Sequence, residues 1–231
     1  MKLKHISFTG IDGKTDLNVL EEIQQAFPIA EFGVLVSKNW RENGNRYFNP
    51  SFLKALLNSG LNLSAHLCGS IARSAISGDI MPFIRWADGY PKIFDRCQIN
   101  ISKNEENPKC FEPDETIKQL FDEIILQQPS ANNCNLYLES HKKNDQITIL
   151  LDASGGEGID TPINVLRGDK VGYAGGINHD NVADKLSFLL ENKDVGDFWI
   201  DMESGVRTDD WFDIDKVVKV LQICDDVVKK D

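Results

Sequence analysis

Short runs of apolar and β-branched residues that end in turn-forming residues recur along the whole chain, and they predict eight β-strands. Between most of these runs, apolar residues recur at helical spacing, which predicts amphipathic helices. The predicted strands are His5–Thr9, Glu31–Val36, Leu61–Leu67, Arg96–Ile101, Cys134–Glu139, Ile147–Asp152, Lys170–Ala174 and Phe198–Met202. The predicted helices are Asp16–Phe27, Pro50–Ser59, Ser70–Ser77, Ile80–Asp88, Pro113–Gln127, His179–Glu191 and Asp213–Lys229.

The alternation of strands and helices predicts an α/β fold in which a parallel sheet is covered by helices. Eight such units in 231 residues fit a closed (β/α)8 TIM barrel, a fold that typically takes roughly 250 residues. Nothing in residues 1–231 resembles a linker, so we expect a single domain. Ser140–Asp145 is too short for a full crossover helix, which predicts a shortened fifth βα unit. An open, doubly wound sheet is the alternative.

Three consecutive predicted strands end in acidic or glycine-rich segments. Parallel barrels place their catalytic groups at the carboxyl ends of the strands, and these ends share one face of the barrel. The sequence therefore predicts one site built from three neighbouring strand ends. The segments are Asp152-Ala153-Ser154-Gly155-Gly156, Ala174-Gly175-Gly176 and Asp201-Met202-Glu203-Ser204-Gly205.

The charge of the chain narrows the class of partner. A formal net charge of −11 at pH 7 argues against a nucleic-acid partner, because such a protein neutralises phosphates with clustered Lys and Arg. It also disfavours an anionic membrane surface. A phosphorylated small molecule remains compatible with this charge, because backbone amides at a helix N-terminus bind phosphate without a basic protein.

Cysteine and histidine usage indicates a reduced protein without a metal. The five cysteines form no CxxC pair, the N-terminus lacks an apolar signal core, and no apolar run could span a bilayer. We therefore expect a cytoplasmic protein with mostly buried thiols. The four histidines are scattered and form no ligand-spaced cluster, so we expect neither a metal nor another cofactor.

The final third of the chain resembles the phosphoribosylanthranilate isomerase family of tryptophan biosynthesis. That family carries a Leu-Leu-Asp strand end, a Gly-Gly-Leu-Asn-Pro-Glu-Asn-Val segment and an Asp-x-Ser-Ser-Gly-Val end. The glycine pair alone occurs in many phosphate-binding barrels, but the order and spacing of the pieces are more specific. The matching segments here are Leu150–Asp152, Ala174–Val182 and Asp201–Val206.

Weaker matches extend the resemblance over nearly the whole chain. Gly33–Ser37 followed by Arg46–Pro50 is similar to the family's second strand and its arginine loop, with an insertion between the two segments. Gln98 and Asn100 lie where the family has glutamine and histidine. Thr9 lies where the family has a cysteine.

The resemblance implies a barrel enzyme that performs an Amadori rearrangement of an aminoaldose to an aminoketose. This reaction needs an acid that protonates the ring oxygen and a base that removes the proton from carbon 2. The resemblance makes Asp152 the general acid, a role that requires a raised pKa; in the alternative interpretation, Asp152 merely caps the following turn. The family's base is the strand-one cysteine, and Thr9 is a poor substitute without a partner.

Several residues are candidates for the missing base. Of these, His66 is the one whose ordinary pKa lies nearest neutrality, although a strand histidine is more often a hydrogen-bonded core residue. The loss of the cysteine and of the strand-four histidine counts against the family's own reaction. The candidates are Asp12, His66, Cys68 and Glu139.

The resemblance also implies the substrate contacts. The glycine segments would present backbone N–H groups to a phosphate, unless they only make tight turns. Asp201 would hold a sugar hydroxyl or a substrate amine, Glu139 is a further substrate-binding candidate, and Arg46 would suit a substrate carboxylate. Gly155–Gly158 is either a mobile lid or an ordinary loop. The predicted phosphate-binding residues are Gly175, Gly176, Ser204 and Gly205.

Three functions follow from these observations. The first is a phosphoribosylanthranilate isomerase-like enzyme in which another group replaces the cysteine base. The second is a different isomerase, epimerase or lyase that acts on a phosphorylated sugar. The third is a catalytically silent barrel that binds a phosphorylated metabolite. The thin cover expected at the fifth unit leaves open whether the chain is a monomer or a homodimer.

Overall fold

Eight parallel strands close into a barrel in chain order, with the first strand paired to the last. The computed structural model describes residues 2–38, 44–46, 50–56, 58–101, 110–128 and 135–230. The prediction of a (β/α)8 barrel is confirmed. The strands are β1 (Leu3–Thr9), β2 (Ala30–Val36), β3 (Leu63–Leu67), β4 (Arg96–Ile99), β5 (Glu123–Gln128), β6 (Ile147–Asp152), β7 (Val171–Ala174) and β8 (Phe198–Met202).

Helices flank the barrel and bury their apolar faces against the outward side chains of the strands. Residues 153–170, between β6 and β7, contain no helix. A two-stranded hairpin of β9 (Arg207–Thr208) and β10 (Trp211–Phe212) precedes the last helix. The helices are α1 (Leu17–Ala26), α2 (Pro50–Leu56), α3 (Gly69–Ile76), α4 (Met81–Trp86), α5 (Glu115–Leu120), α6 (Asn135–His141), α7 (Val182–Glu191) and α8 (Ile214–Val228).

The fifth strand lies elsewhere than the sequence pattern predicted. Cys134 is outside the described residues, and Asn135–Glu139 belongs to helix α6. The strand is instead β5, which lies at the end of the segment predicted as the helix Pro113–Gln127. A short apolar run has the same pattern in a buried strand and in a buried helix, which explains the error. The helix of the fifth unit, α6, has seven residues and that of the fourth, α5, has six, and the unit without a helix is the sixth, at 153–170.

A charged cluster fills part of the barrel interior. Arg96 donates to Glu31 Oε1 over 2.9 Å and to Glu123 Oε2 over 3.0 Å, and its side chain is 6% exposed. The Arg96 guanidinium also lies 4.4 Å from the Trp199 ring centroid. Gly172 leaves room for that indole, since a Cβ there would lie 2.2 Å from Trp199. A buried charge must be paired, so this cluster ties four strands together below the mouth of the barrel.

Within the described ranges, no helix is both long enough and apolar enough to cross a membrane.

Candidate active site

The carboxyl ends of the strands open into a cavity of about 520 Å³. Residues predicted from separate parts of the chain meet here, because the strand ends share one face of the barrel. Thr9 comes from β1, His66 from β3, Asp152 from β6 and Asp201 from β8, and Gly176 follows β7. The cavity is therefore the candidate active site.

Asp152 is buried at the end of β6 and accepts four hydrogen bonds. Oδ1 accepts from the backbone N of Ser154 over 3.1 Å and from its Oγ over 2.7 Å. Oδ2 accepts from Gln127 Nε2 over 2.8 Å and from the Gly156 N over 2.6 Å. Asp152 thus caps the turn that follows β6, and it also lines the cavity.

Thr9 and Asp201 form a buried pair at the floor of the cavity. The Thr9 hydroxyl donates to Asp201 Oδ1 over 2.7 Å. Burial raises the pKa of Asp201 to about 7; the bond from Thr9 opposes this rise, and the charges of Glu203 and Asp152 add to it. Asp201 therefore titrates near neutrality.

His66, the base candidate whose ordinary pKa lies nearest neutrality, is a core residue of the barrel. Its side chain is buried, and burial lowers its pKa to about 4. Its Nε2 lies 3.1 Å from Ser64 Oγ and 3.4 Å from Thr9 Oγ1. The imidazole is consequently neutral near pH 7 and serves as a hydrogen-bonding partner in the floor of the cavity.

The other candidate bases are poorly suited to proton abstraction in the cavity. Glu139 was predicted at a strand end, and that prediction is wrong because Glu139 lies on helix α6, exposed and paired with Lys142 over 2.6 Å. Burial raises the pKa of the Cys68 thiol to about 12. Asp12 is buried, lies 3.4 Å from the Arg207 guanidinium and accepts from the Phe212 N over 2.7 Å. Asp12 thus ties the loop after β1 to the β9–β10 hairpin.

Three of the four predicted phosphate-binding residues, Gly175, Gly176 and Ser204, line the cavity, and Gly205 is not among its lining residues. Gly176 has φ +64°, and a Cβ there would lie 2.3 Å from the backbone N of Asp160, so only glycine fits. Ser204 and Gly205 begin the 3₁₀ turn Ser204–Val206. The N–H groups of Gly175, Gly176, Ser204 and Gly205 donate to no group of the residues that the structure describes.

Arg46 already has two acidic partners. Its guanidinium contacts Glu203 Oε1 over 2.5 Å and Asp210 Oδ1 over 2.7 Å, and its side chain is partly exposed. Glu203 stands where the resembling family has a serine. A substrate carboxylate would have to displace one of these internal carboxylates. Tyr47, Phe48 and Asn49 of the same loop lie outside the described residues.

The sequence pattern missed Gln127 and Gly33. Gln127 was missed because β5 was predicted in the wrong place, and its amide orients Asp152. Gly33 lies in the middle of β2, where a Cβ would meet Thr9 Oγ1 at 2.6 Å and His66 Nε2 at 2.8 Å. A glycine inside an apolar strand often marks such a close approach, so this signal was present in the sequence.

Among the described residues, no three His, Cys, Asp or Glu side chains cluster in a way that could hold a metal ion.

Solved structures of similar fold include phosphoribosylanthranilate isomerases. TrpF from Jonesia denitrificans matches with a TM-score of 0.56 at 14% identity over 97% of this chain and 98% of that chain. The phosphoribosylanthranilate isomerase from Thermotoga maritima, studied as monomers generated from a dimer, matches with a TM-score of 0.58 at 15% identity over 97% and 100%. The Pyrococcus furiosus enzyme matches with a TM-score of 0.54 at 16% identity over 96% and 98%.

At these identities the likeness establishes the fold. No sequence-family model and no curated protein matches the chain.

Proposed function

We propose that this chain is an enzyme that isomerises a phosphorylated sugar by acid/base proton transfer at the mouth of the barrel. The observation that carries this proposal is the composition of one cavity. It is lined by two buried carboxylates, Asp152 and Asp201, and by Gly175, Gly176 and Ser204. The Amadori rearrangement of phosphoribosylanthranilate is the first candidate reaction.

The glycine segments would hold the phosphate of the substrate. Backbone N–H groups without a protein acceptor bind an anion without adding positive side chains, which suits a chain of net charge −11. Gly176 precedes helix α7, whose N-terminal dipole favours an anion. A phosphate anchored here would direct the sugar carbons toward the acids at the strand ends.

The two carboxylates would supply the proton transfers. Asp152 is the proposed general acid, which protonates the ring oxygen as the sugar ring opens. The environments of Asp152 and Asp201 differ, since one receives four hydrogen bonds and the other receives one. Two carboxylates in unlike environments are typical of acid/base pairs in enzymes.

A different phosphosugar isomerase, epimerase or lyase is the second candidate. The contact between Arg46 and Glu203 favours it, because the cation expected to bind the anthranilate carboxylate is already matched inside the protein. Thr9 in place of the cysteine points the same way. A silent phosphate-binding barrel is less favoured, because buried carboxylates beside an anion oppose binding unless they do chemistry.

Freshly generated phosphoribosylanthranilate is the substrate that tests this proposal first, followed by the loss of anthranilate fluorescence. Asp152→Asn should abolish turnover, and Asp145→Asn, an exposed change, should leave it intact. Turnover that survives Asp152→Asn would remove Asp152 from the reaction. If the folded wild type shows no turnover, a panel of phosphorylated aldoses tests the second candidate, and failure on all of them would contradict the proposal.

The sequence resemblance and the fold support two further proposals. One is that the chain acts in the cytoplasm. The other is that it is a monomer or a homodimer in solution, and light scattering would distinguish these two states.

A further inference from the structure

We propose that Asp201 is the base that accepts the proton from carbon 2 of the sugar, and that Thr9 is the residue that positions it. This inference rests on the proposed function. It assigns the step for which the resemblance to phosphoribosylanthranilate isomerases leaves no residue, since the cysteine of that family is replaced by Thr9.

The closure of the barrel brings the two residues together. Strands β1 and β8 are hydrogen-bonded neighbours, with Ser7 in register with Asp201. Two residues further along β1, Thr9 donates its hydroxyl proton to Asp201 Oδ1 over 2.7 Å. A hydroxyl that donates to a carboxylate does not act as the base itself; it orients the carboxylate.

One oxygen of Asp201 is available for chemistry. Oδ2 accepts no hydrogen bond from the residues that the structure describes, and it is not fully buried. Because Asp201 also lines the cavity, this oxygen is open to a ligand there. In Asp152, by contrast, both oxygens accept two hydrogen bonds each, so Asp201 is the better proton acceptor.

The groups around Asp201 make it a stronger base than an ordinary carboxylate. Burial raises its pKa most, and the carboxylates of Glu203, of Asp152 on β6 and of Glu31 on β2 raise it further. His66 on β3 is neutral and contacts Thr9, and the titratable residue of neighbouring β7 is Tyr173, whose pKa is raised by burial to about 12. A base whose pKa lies near the working pH is the most effective in proton transfer.

The proton transfers balance without a co-reactant. The reaction starts with Asp152 protonated and Asp201 ionised. Asp152 donates its proton to the ring oxygen, and the Asp201 carboxylate takes the proton from carbon 2. The C–H electron pair becomes the carbon 1–carbon 2 double bond, and the π electrons of the C=N⁺ bond move to nitrogen. Asp201 then returns the proton to carbon 1, and the hydroxyl proton of carbon 2 leaves to Asp152, which forms the ketone and restores both acids.

Hydrogen exchange at carbon 2 measures this step. Ribose 5-phosphate and freshly generated phosphoribosylanthranilate are incubated in D₂O with wild-type protein, and deuterium at carbon 2 or carbon 1 is followed by mass spectrometry across pH. We expect a rate that rises with pH around a midpoint of about 7. Asp201→Asn should lower the rate by at least about 100-fold and still bind ribose 5-phosphate.

Two Thr9 variants separate positioning from structure. Thr9→Val keeps the shape of the side chain and removes the hydrogen bond that lowers the pKa of Asp201. The midpoint should therefore move upward by about one pH unit. Thr9→Ser keeps the hydroxyl and should keep the wild-type midpoint. A purely structural role would change the rate and leave the midpoint in place, which would overturn the positioning role.

The outcomes distinguish this inference from the proposed function. Exchange in wild type that persists in Asp201→Asn overturns the inference and leaves the proposed function standing. No exchange in folded wild type with either sugar counts against the proposed function, and a ¹³C-NMR titration of the Asp201 carboxyl then tests the pair itself. A midpoint near 7 that rises in Thr9→Val supports the pair, and a midpoint below about 5 overturns the inference.

Discussion

Gly33 lies so close to Thr9 that a methyl group on Gly33 would come within 2.6 Å of the Thr9 hydroxyl oxygen. The same methyl group would lie 2.8 Å from His66 Nε2. Because Gly33 has no side chain, there is space for Thr9 to turn toward Asp201. The floor of the cavity depends on a residue with no chemistry of its own.

Gly33→Ala should therefore displace Thr9 and weaken its bond to Asp201. Overpacking of this kind typically costs about 1–3 kcal/mol of stability, measurable by denaturant unfolding. Because the hydroxyl oxygen makes the closest contact, Gly33→Ala should cost less in a Thr9→Ala background. Strictly additive effects in this double-mutant cycle would contradict the steric account.

Asp201→Asn should stabilise the protein at alkaline pH. Burial raises the pKa of Asp201 from its ordinary value of 3.8 to about 7, so the folded state holds a proton that the unfolded state releases. Stability is then lost as pH rises from the unfolded to the folded pKa. The advantage of Asp201→Asn over wild type should grow by about 2–3 kcal/mol between about pH 5 and pH 8. A pH-independent difference in urea unfolding would show that Asp201 has an ordinary pKa.

Asp152→Asn should loosen the loop that follows β6. Both Asp152 oxygens now accept hydrogen bonds, so the amide nitrogen of an Asn would replace one acceptor with a donor. Each charge-assisted hydrogen bond that is lost contributes about 1.5–3 kcal/mol. The amide hydrogen of Gly156, which bonds Asp152 Oδ2, should exchange faster with solvent. Glu157→Gln, a change in the same loop, is the matched control. Equal protection of Gly156 in both variants would mean that Asp152 does not hold the loop.

Ser204→Asp should weaken phosphate-ester binding. Ser204 is exposed at the start of the 3₁₀ turn, next to Gly158, whereas any side chain on Gly176 would collide with the backbone of Asp160. Calorimetry with ribose 5-phosphate should show at least a tenfold loss, about 1.4 kcal/mol, for Ser204→Asp. Ser204→Asn, of similar shape and no charge, should bind within a few-fold of wild type. The same affinity in both variants would contradict the placement of the phosphate site at this end of the barrel.

Glu203→Gln should free Arg46 for an external carboxylate. The Arg46 guanidinium contacts Glu203 over 2.5 Å, and both side chains are about one-third exposed, so the pair itself contributes about 0–1 kcal/mol. We expect anthranilate to bind several-fold more tightly to Glu203→Gln than to wild type in a fluorescence titration. Glu157→Gln, which removes a charge elsewhere in the cavity lining, controls for the general loss of negative charge. An equal gain in both variants would deny Arg46 a specific role.

The barrel could be predicted from the sequence because each unit repeats the same physical signal. The Ile147–Asp152 strand was predicted at its observed bounds, since a buried apolar run there ends on a carboxylate and a glycine-rich turn. The prediction of the fifth strand was wrong because the apolar spacing of Asn135–His141 and of Glu123–Gln128 fits a helix and a strand alike. Only the pairing of β5 with β4 and β6 decides between them.

The sequence predicts which positions form the candidate site, but it does not predict the pKa values of the side chains there. Thr9, Asp152 and Asp201 share one cavity because the carboxyl ends of barrel strands share one face. Which group titrates near neutrality depends on burial and on neighbours from other strands. Tertiary structure therefore makes His66 neutral and Asp201 the titrating residue.

The most direct test of the account is an amide NMR titration of the wild-type protein with ribose 5-phosphate. We predict that the amide signals of Gly176, Ser204 and Gly205 shift together with those of Thr9 and Asp201, because one ligand would span the phosphate end and the acidic floor. Saturation within the millimolar range would suit a substrate fragment of this size. No shifts at about 10 mM, or shifts confined to another face of the barrel, would contradict the assignment of this cavity as a phosphosugar site.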